Sequence, residues 1–193
     1  MRNQPAKVLE VADVRLTLDH VLFQRYPERN RVMILLSFKA GLRACEIAGL
    51  AWPMVLASDN RVGAQLTVTG AIAKGASGRV IPIHLELQHA LSKLHGLAGK
   101  PKSGPIIRSE RGGHMTAEAI VNWFGKLYRE LELIGCSSHS GRRTFITNSA
   151  RLLAKTGGSL RDIQELAGHR AITTTERYIQ GNRDAQRKLI ALL

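Results

Sequence analysis

The chain has 193 residues, with 28 Lys and Arg against 15 Asp and Glu, a formal net charge of +13, and 44% hydrophobic residues. That length and apolar fraction suit one compact domain with its own core, and they exclude a disordered chain because the charges are spread along the sequence rather than run into tails. The positive excess is larger than solubility needs and points to a polyanionic partner, nucleic acid ahead of an anionic membrane surface.

From about Val8 the pattern is helical, with Val11, Val14, Leu18 and Leu22 on one face. Asn30 is the expected cap of a second helix. Its run from Val32 to Phe38 is apolar nearly all round, the mark of a central buried helix, and Gly41 can close it in a left-handed conformation. The run is too short to span a bilayer and the N-terminus lacks the charged-then-apolar layout of a signal peptide, so a soluble, cytoplasmic protein is expected. Ala44 to Leu50 is a short helix broken by Trp52-Pro53. Cys45 and Cys136 are far apart and lack ligand spacing, which indicates neither a disulfide framework nor a zinc site and fits a reducing compartment.

Gln65 to Ala73 and Arg79 to His84 are rich in Val, Ile and Thr and flank Lys74-Gly-Ala-Ser-Gly78, which predicts a two-stranded hairpin with a glycine-containing loop. Pro82 marks an edge strand. Leu85 to Leu97 reads as a helix, and Gly99 to Gly113, with Pro101 and Pro105, as a loop-rich connector and the one internal boundary. Thr116 is the expected N-cap of an amphipathic helix with the stripe Ile120, Phe124, Leu127 and Leu131. Ser138 to Gln180 carries further helices, one capped by Ser159 and closed by Gly168, another opened by Thr173 with Glu176 in a capping box. Arg183 to Leu193 is a short amphipathic tail. The expected class is mainly α with a small antiparallel β-sheet (α+β).

Several side chains in these elements carry chemistry. Arg142 falls in line with Phe145, Ile146, Ser149 and Leu153, the apolar face of its own helix, and an arginine there needs an anion, either an internal carboxylate or a bound phosphate. His139, one turn earlier, points to nearly the same side. Arg43 shares a face with Ile47 and Leu50, and Glu46 sits beside it; the two either pair or leave Arg43 to join Arg142 in a clamp, because guanidinium forks match phosphate oxygens. His169 follows the Gly168 turn, as a surface residue or a ligand contact. Tyr178 stands off the stripe Ile172, Thr175 and Ile179, as a half-buried packing tyrosine or a nucleophile, and its phenol is a weak nucleophile unless positive charge surrounds it. Lys74, on the hairpin loop, is either solvated or able to reach over a phosphate and protonate a leaving alkoxide.

Taken in order, Gly41-Leu42-Arg43-Ala44-Cys45-Glu46, Lys74 ahead of Arg79 and Pro82, His139-Ser-Gly-Arg142, Gly168-His169 and Tyr178 resemble the tyrosine recombinases, or phage integrases, from about Val8 to the C-terminus. The resemblance implies that family's catalytic-domain fold over a single domain, 1–193, with a core of about 8–181. It implies cofactor-free, metal-free strand transfer in which Tyr178 attacks a DNA phosphate, forms a 3′-phosphotyrosyl link and releases a 5′-hydroxyl. On that pattern Arg43 and Arg142 clamp the phosphate, Lys74 is the general acid, His139 assists proton transfer, His169 hydrogen-bonds the phosphate and Glu46 orients the clamp. The implied partner is double-stranded DNA, with a homo-tetramer assembled on it in the cytoplasm at the nucleoid, no membrane and no small-molecule substrate. The family's N-terminal core-binding domain is expected to be absent, and the tail, 182–193, to dock on a neighbouring protomer. Arg143, Gly141 and Ala167 depart from the residues usual at their positions. Two other readings stay open: a DNA-binding regulator or recombinase remnant that does not rearrange DNA, and a type IB topoisomerase-like relaxing enzyme.

Overall fold

The computed structural model describes residues 6–73 and 78–178, together with 187, 190 and 191. The chain is built around α2 (Pro27–Lys39), in which Val32 to Phe38 are all buried. Its start differs from the expectation. Pro27 occupies the first helical position, where its fixed φ and missing N–H cost nothing, so the helix begins a turn before Asn30. Asn30 is buried inside the helix instead, donating to Gln24 Oε1 at 2.7 Å and accepting from Arg29. Gly41 follows the helix with φ +63° as expected, and the Leu42 amide turns back to the Leu36 carbonyl at 3.1 Å.

Around this pillar lie α1 (Val11–His20), α3 (Ala44–Gly49), α4 (Leu85–Leu97) and α6 (Ser140–Thr156). On α1, Leu18 is buried and Val14 partly so, but Val11 is 73% exposed. Leu22 is also exposed, because the helix ends at His20 and a 3₁₀ turn, Val21–Phe23, rotates Val21 inward in its place. The helix predicted from Leu85 to Leu97 is found with those bounds. α5 (Ala117–Glu130) packs on α3; Thr116 Oγ1 accepts from the Ala119 amide, and Ile120, Phe124 and Leu127 are buried with Tyr128.

The strands β1 (Gln65–Val68) and β2 (Arg79–Pro82) form a two-stranded antiparallel sheet with Leu66 opposite Ile81 and Val68 opposite Arg79. They are shorter than the β-branched runs suggest. After Val68 the chain curls, the Ile72 and Ala73 amides both returning to the Thr69 carbonyl. The connector from Gly99 to Gly113 does not separate two bodies: Ile106 and Ile107 are buried in the core shared with α2, and Ile106 N donates to the Leu50 carbonyl at 3.0 Å.

Two short helices complete the described fold, α7 (Leu160–Ala167) and α8 (Ile172–Glu176). Ser159 opens α7 with its amide and hydroxyl both on Asp162 Oδ2, and Gly168 closes it at φ +62°. α8 opens at Ile172 behind Ala171, so Thr173 is inside the helix rather than at its cap. Ile146 of α6 with Ile163 and Ala167 of α7 makes a second, smaller core against which Tyr178 packs. The approach of α6 to α2 depends on Gly141, where a Cβ would run into Ser37 Oγ and lie 2.9 Å from Ser37 Cβ.

Candidate active site

Arg43 sits on extended backbone just ahead of α3, as its N-cap. Its amide donates to Glu46 Oε2 at 2.8 Å and its Nη1 to Oε1 at 2.9 Å, so the expected Arg43–Glu46 pair forms. It is not a closed pair. Glu46, fully buried, also accepts Arg79 Nη1 at 2.8 Å and Nη2 at 3.0 Å. Burial pushes the Glu46 carboxyl up, but the hydrogen bonds and charge of Arg79, with the amide and charge of Arg43, outweigh it and hold the group below the usual range.

Arg79 is the residue that sequence reasoning passed over as a site component. The period of two along β2 was the available signal, since it sets Arg79 on the same inward face as the buried Ile81. Its Nε donates to the Leu166 carbonyl at 2.8 Å.

Arg142 is only 4% exposed, and within the described chain its hydrogen-bond partners are backbone carbonyls rather than a carboxylate. Nη1 donates to the Gly41 carbonyl and Nη2 to the Ala167 carbonyl, both at 2.6 Å. Burial, then the charge of Arg43 and of Arg79, lower its pKa to about 10 against the opposing pull of Glu46 and Tyr178. A guanidinium has five N–H groups, so these two bonds leave donors for a further acceptor. The carbonyls of Leu166 and Ala167, which a helix end leaves without intrahelical partners, are thus each taken by an arginine from another element. Gly168 is required at this junction: besides its positive φ, a Cβ there would sit 2.9 Å from Arg79 Nη1.

The turn after Gly168 carries His169, which is 9% exposed rather than a surface residue. Gln164 Nε2 donates to its carbonyl at 3.0 Å, and the His169 amide donates to the Gln164 carbonyl at the same distance. His169 Nδ1 lies 3.0 Å from Thr175 Oγ1. Burial and the charges of Arg142, Arg43 and Arg79 push its pKa down to about 4, so the ring is neutral near pH 7.

Tyr178 follows α8 and is half-buried, packed against the smaller core, as a packing tyrosine would be. Its ring stacks on His169 with centroids 5.8 Å apart and 21° between planes, and Arg143 Cζ stands 5.7 Å from its centroid. His139 precedes the first residue of α6 and is exposed, whereas Arg142 is buried. Lys74 and Ile179 lie outside the described residues.

The structure therefore brings Arg43, Glu46, Arg142, His169 and Tyr178 into one neighbourhood and adds Arg79, Arg143 and Thr175. The guanidiniums of Arg43, Arg79 and Arg142, set against the single carboxylate of Glu46 and joined by Arg143 over the Tyr178 ring, suit a multiply charged oxyanion. Among the described residues no three of His, Cys, Asp or Glu gather as a metal-holding group, and no helix is long and apolar enough to cross a membrane.

Comparison with known proteins follows this geometry. A family model described as "Phage integrase family" matches residues 7–184. The tyrosine recombinase XerD of Rickettsia conorii is 30% identical over 189 residues, covering 92% of this chain and 60% of its own. XerC of Pelobacter propionicus is 28% identical over 157 residues, covering 80% of this chain and 48% of its own. The chain thus spans about half the length of these relatives. Among solved structures, the Tn1549 transposon integrase in complex with transposon right end DNA matches 98% of this chain and 67% of its own, with a TM-score of 0.76 at 21% identity. XerA recombinase matches 98% of this chain with a TM-score of 0.72 at 18% identity, and both likenesses are of fold.

Proposed function

The chain belongs to the phage integrase family and has the tyrosine recombinase catalytic-domain fold, and from that premise we propose that it is the strand-transferring module of a site-specific DNA recombinase. The observation that carries the reading is the gathering of Arg43, Arg142, His169 and the half-buried Tyr178 in one neighbourhood. Tyr178 is the nucleophile. Its phenol oxygen forms a bond to a DNA phosphorus, its proton leaves with the help of His139, and the bond from phosphorus to the 5′-oxygen breaks as Lys74 supplies that oxygen with a proton. The product is a 3′-phosphotyrosyl link, and attack by a 5′-hydroxyl on that link rejoins a strand.

Each remaining residue answers to charge. The pentacoordinate phosphorus carries more negative charge than the diester, and the unused donors of Arg142 and Arg43 meet it. Glu46 orients Arg43 while Arg79 ties Glu46 to the end of α7, so the clamp is set before DNA arrives. His169, neutral, contributes a hydrogen bond rather than a charge. The core shared by α1 to α5, with α6 packed on α2 and carrying the smaller core beside it, supports reading 1–193 as one catalytic domain. Double-stranded DNA is the partner, which the positive excess supports, and a tetramer is the working assembly, with the tail docking between protomers.

The test is a nicked suicide duplex carrying an inverted repeat from the DNA flanking the coding region, incubated with the protein in EDTA. An SDS-stable protein–DNA adduct is expected from the native chain and none from Tyr178→Phe, with duplex binding retained in the variant. Adduct from Tyr178→Phe, or a strict need for Mg²⁺, overturns the reading.

A further inference from the structure

Thr175 is 0% exposed, and its hydroxyl lies 3.0 Å from His169 Nδ1. A buried helical threonine commonly turns its hydroxyl back to a carbonyl one turn earlier. Among the described residues this one instead meets the imidazole, and no carbonyl takes its proton. That decides the direction of the bond. If Nδ1–H donated to Oγ1, the hydroxyl proton would be buried without an acceptor, the costlier arrangement. If Oγ1–H donates to Nδ1, both groups are satisfied.

We propose that Thr175 is a positioning residue whose hydroxyl donates to His169 Nδ1 and so fixes the neutral imidazole in the tautomer that carries its one proton on Nε2. The identity of that nitrogen matters because a neutral ring has a single donor. The groups around the ring keep it single: Arg142 and Arg143 from α6, Arg43 from ahead of α3, Arg79 from β2 and Tyr178 after α8, with Glu46 the one carboxylate among them. Nε2 takes no hydrogen bond among the described residues, so its N–H is the group available to a non-bridging phosphate oxygen. This last step rests on the proposed strand transfer; the tautomer does not.

The experiment is a ¹⁵N–¹H long-range correlation spectrum of the uniformly labelled chain without DNA, with His169→Gln identifying the ring signals. The expected pattern is a protonated Nε2 and an unprotonated Nδ1, unchanged as pH falls to about 5.5. In Thr175→Val the two tautomers mix, and in Thr175→Ser the single form returns. In the adduct assay Thr175→Val slows adduct formation by roughly tenfold with duplex affinity kept within about twofold, and Thr175→Ser restores the rate. A protonated Nδ1 in the native chain overturns the proposal, and so does a Thr175→Val variant with native tautomer and rate. If Thr175→Val fails to fold, the native spectrum decides by itself. The predicted tautomer in a chain that forms no adduct overturns the strand-transfer reading and leaves the tautomer standing.

Discussion

At the scale of single residues, the site binds its charges by burying them, and His169 shows what that does to stability. Its pKa is lowered from 6.5 to about 4 by burial and by Arg142, Arg43 and Arg79. A histidine that resists protonation when folded but accepts a proton when unfolded makes the unfolded state bind more protons, so stability rises with pH across that window. It is fully present above 6.5 and is lost as pH falls toward 4. From pH 7 to pH 5 the loss from this one group is about 2 kcal/mol. Glu46, whose pKa is also lowered, begins to lose its contribution only at lower pH, as its own carboxyl takes up a proton. Urea denaturation at the two pH values separates them: His169→Gln should show a shallower loss than the native chain by about that amount. Equal losses in both proteins would mean that His169 is not held neutral by its surroundings.

At the scale of elements, the seam between α2 and α6 sets Gly141 against Ser37. Gly141 faces Ser37, whose Oγ is buried with no hydrogen-bond partner among the described residues. A Cβ at 141 forces the helices apart, and since Arg142 is the next residue, the clamp moves with them. Gly141→Ala should cost about 1–3 kcal/mol by overpacking, while Ser37→Ala, which removes an unpaired buried hydroxyl, should be neutral or stabilise by about 1 kcal/mol. Thermal and urea denaturation of the two single variants and the double variant measures this, and additive effects would show that the two positions do not share one contact. The same seam shows which parts of the fold are legible in sequence. Elements whose signals are local and agree, such as α4 and the Thr116 cap of α5, have the bounds read from the chain. The start of α2 was misread because Asn30 is a good cap by type, while Pro27 fits the first helical position better. That Arg142 would be buried was readable from its helical face. That it would hold the carbonyls of Gly41 and Ala167 was not, because residue types do not encode which distant backbone groups meet. Arg79 carried a readable strand period, but one short strand offers little periodicity to weigh.

At the scale of the whole molecule, several of the acidic residues are already engaged. Glu46 serves Arg43 and Arg79, Glu86 serves Arg31 and Lys39, Glu28 pairs with Lys93, Glu110 with Arg25, and Glu130 with His20 and Lys126. These pairs offset a minority of the cations and leave the formal excess of +13 to act outward. Most such pairs are at the surface and add little to stability, so the arrangement matters more for the field of the molecule than for its fold. The field has a measurable consequence on the proposed reading. If the excess grips duplex DNA by displacing counterions, affinity falls with salt in proportion to the phosphates neutralised, and about 6–10 contacts would cost roughly 10³–10⁵ in affinity between 50 and 200 mM salt. Fluorescence anisotropy with a labelled duplex measures the slope, and Tyr178→Phe should share it, since the lost hydroxyl makes no phosphate charge pair. Repeating the titration with an unrelated duplex separates two terms. The electrostatic slope should be common to both sequences, while the gap between the curves reports base readout alone. A flat response on both would remove the charge excess as the source of grip, and a slope confined to one sequence would place the basic residues in recognition rather than in general attraction.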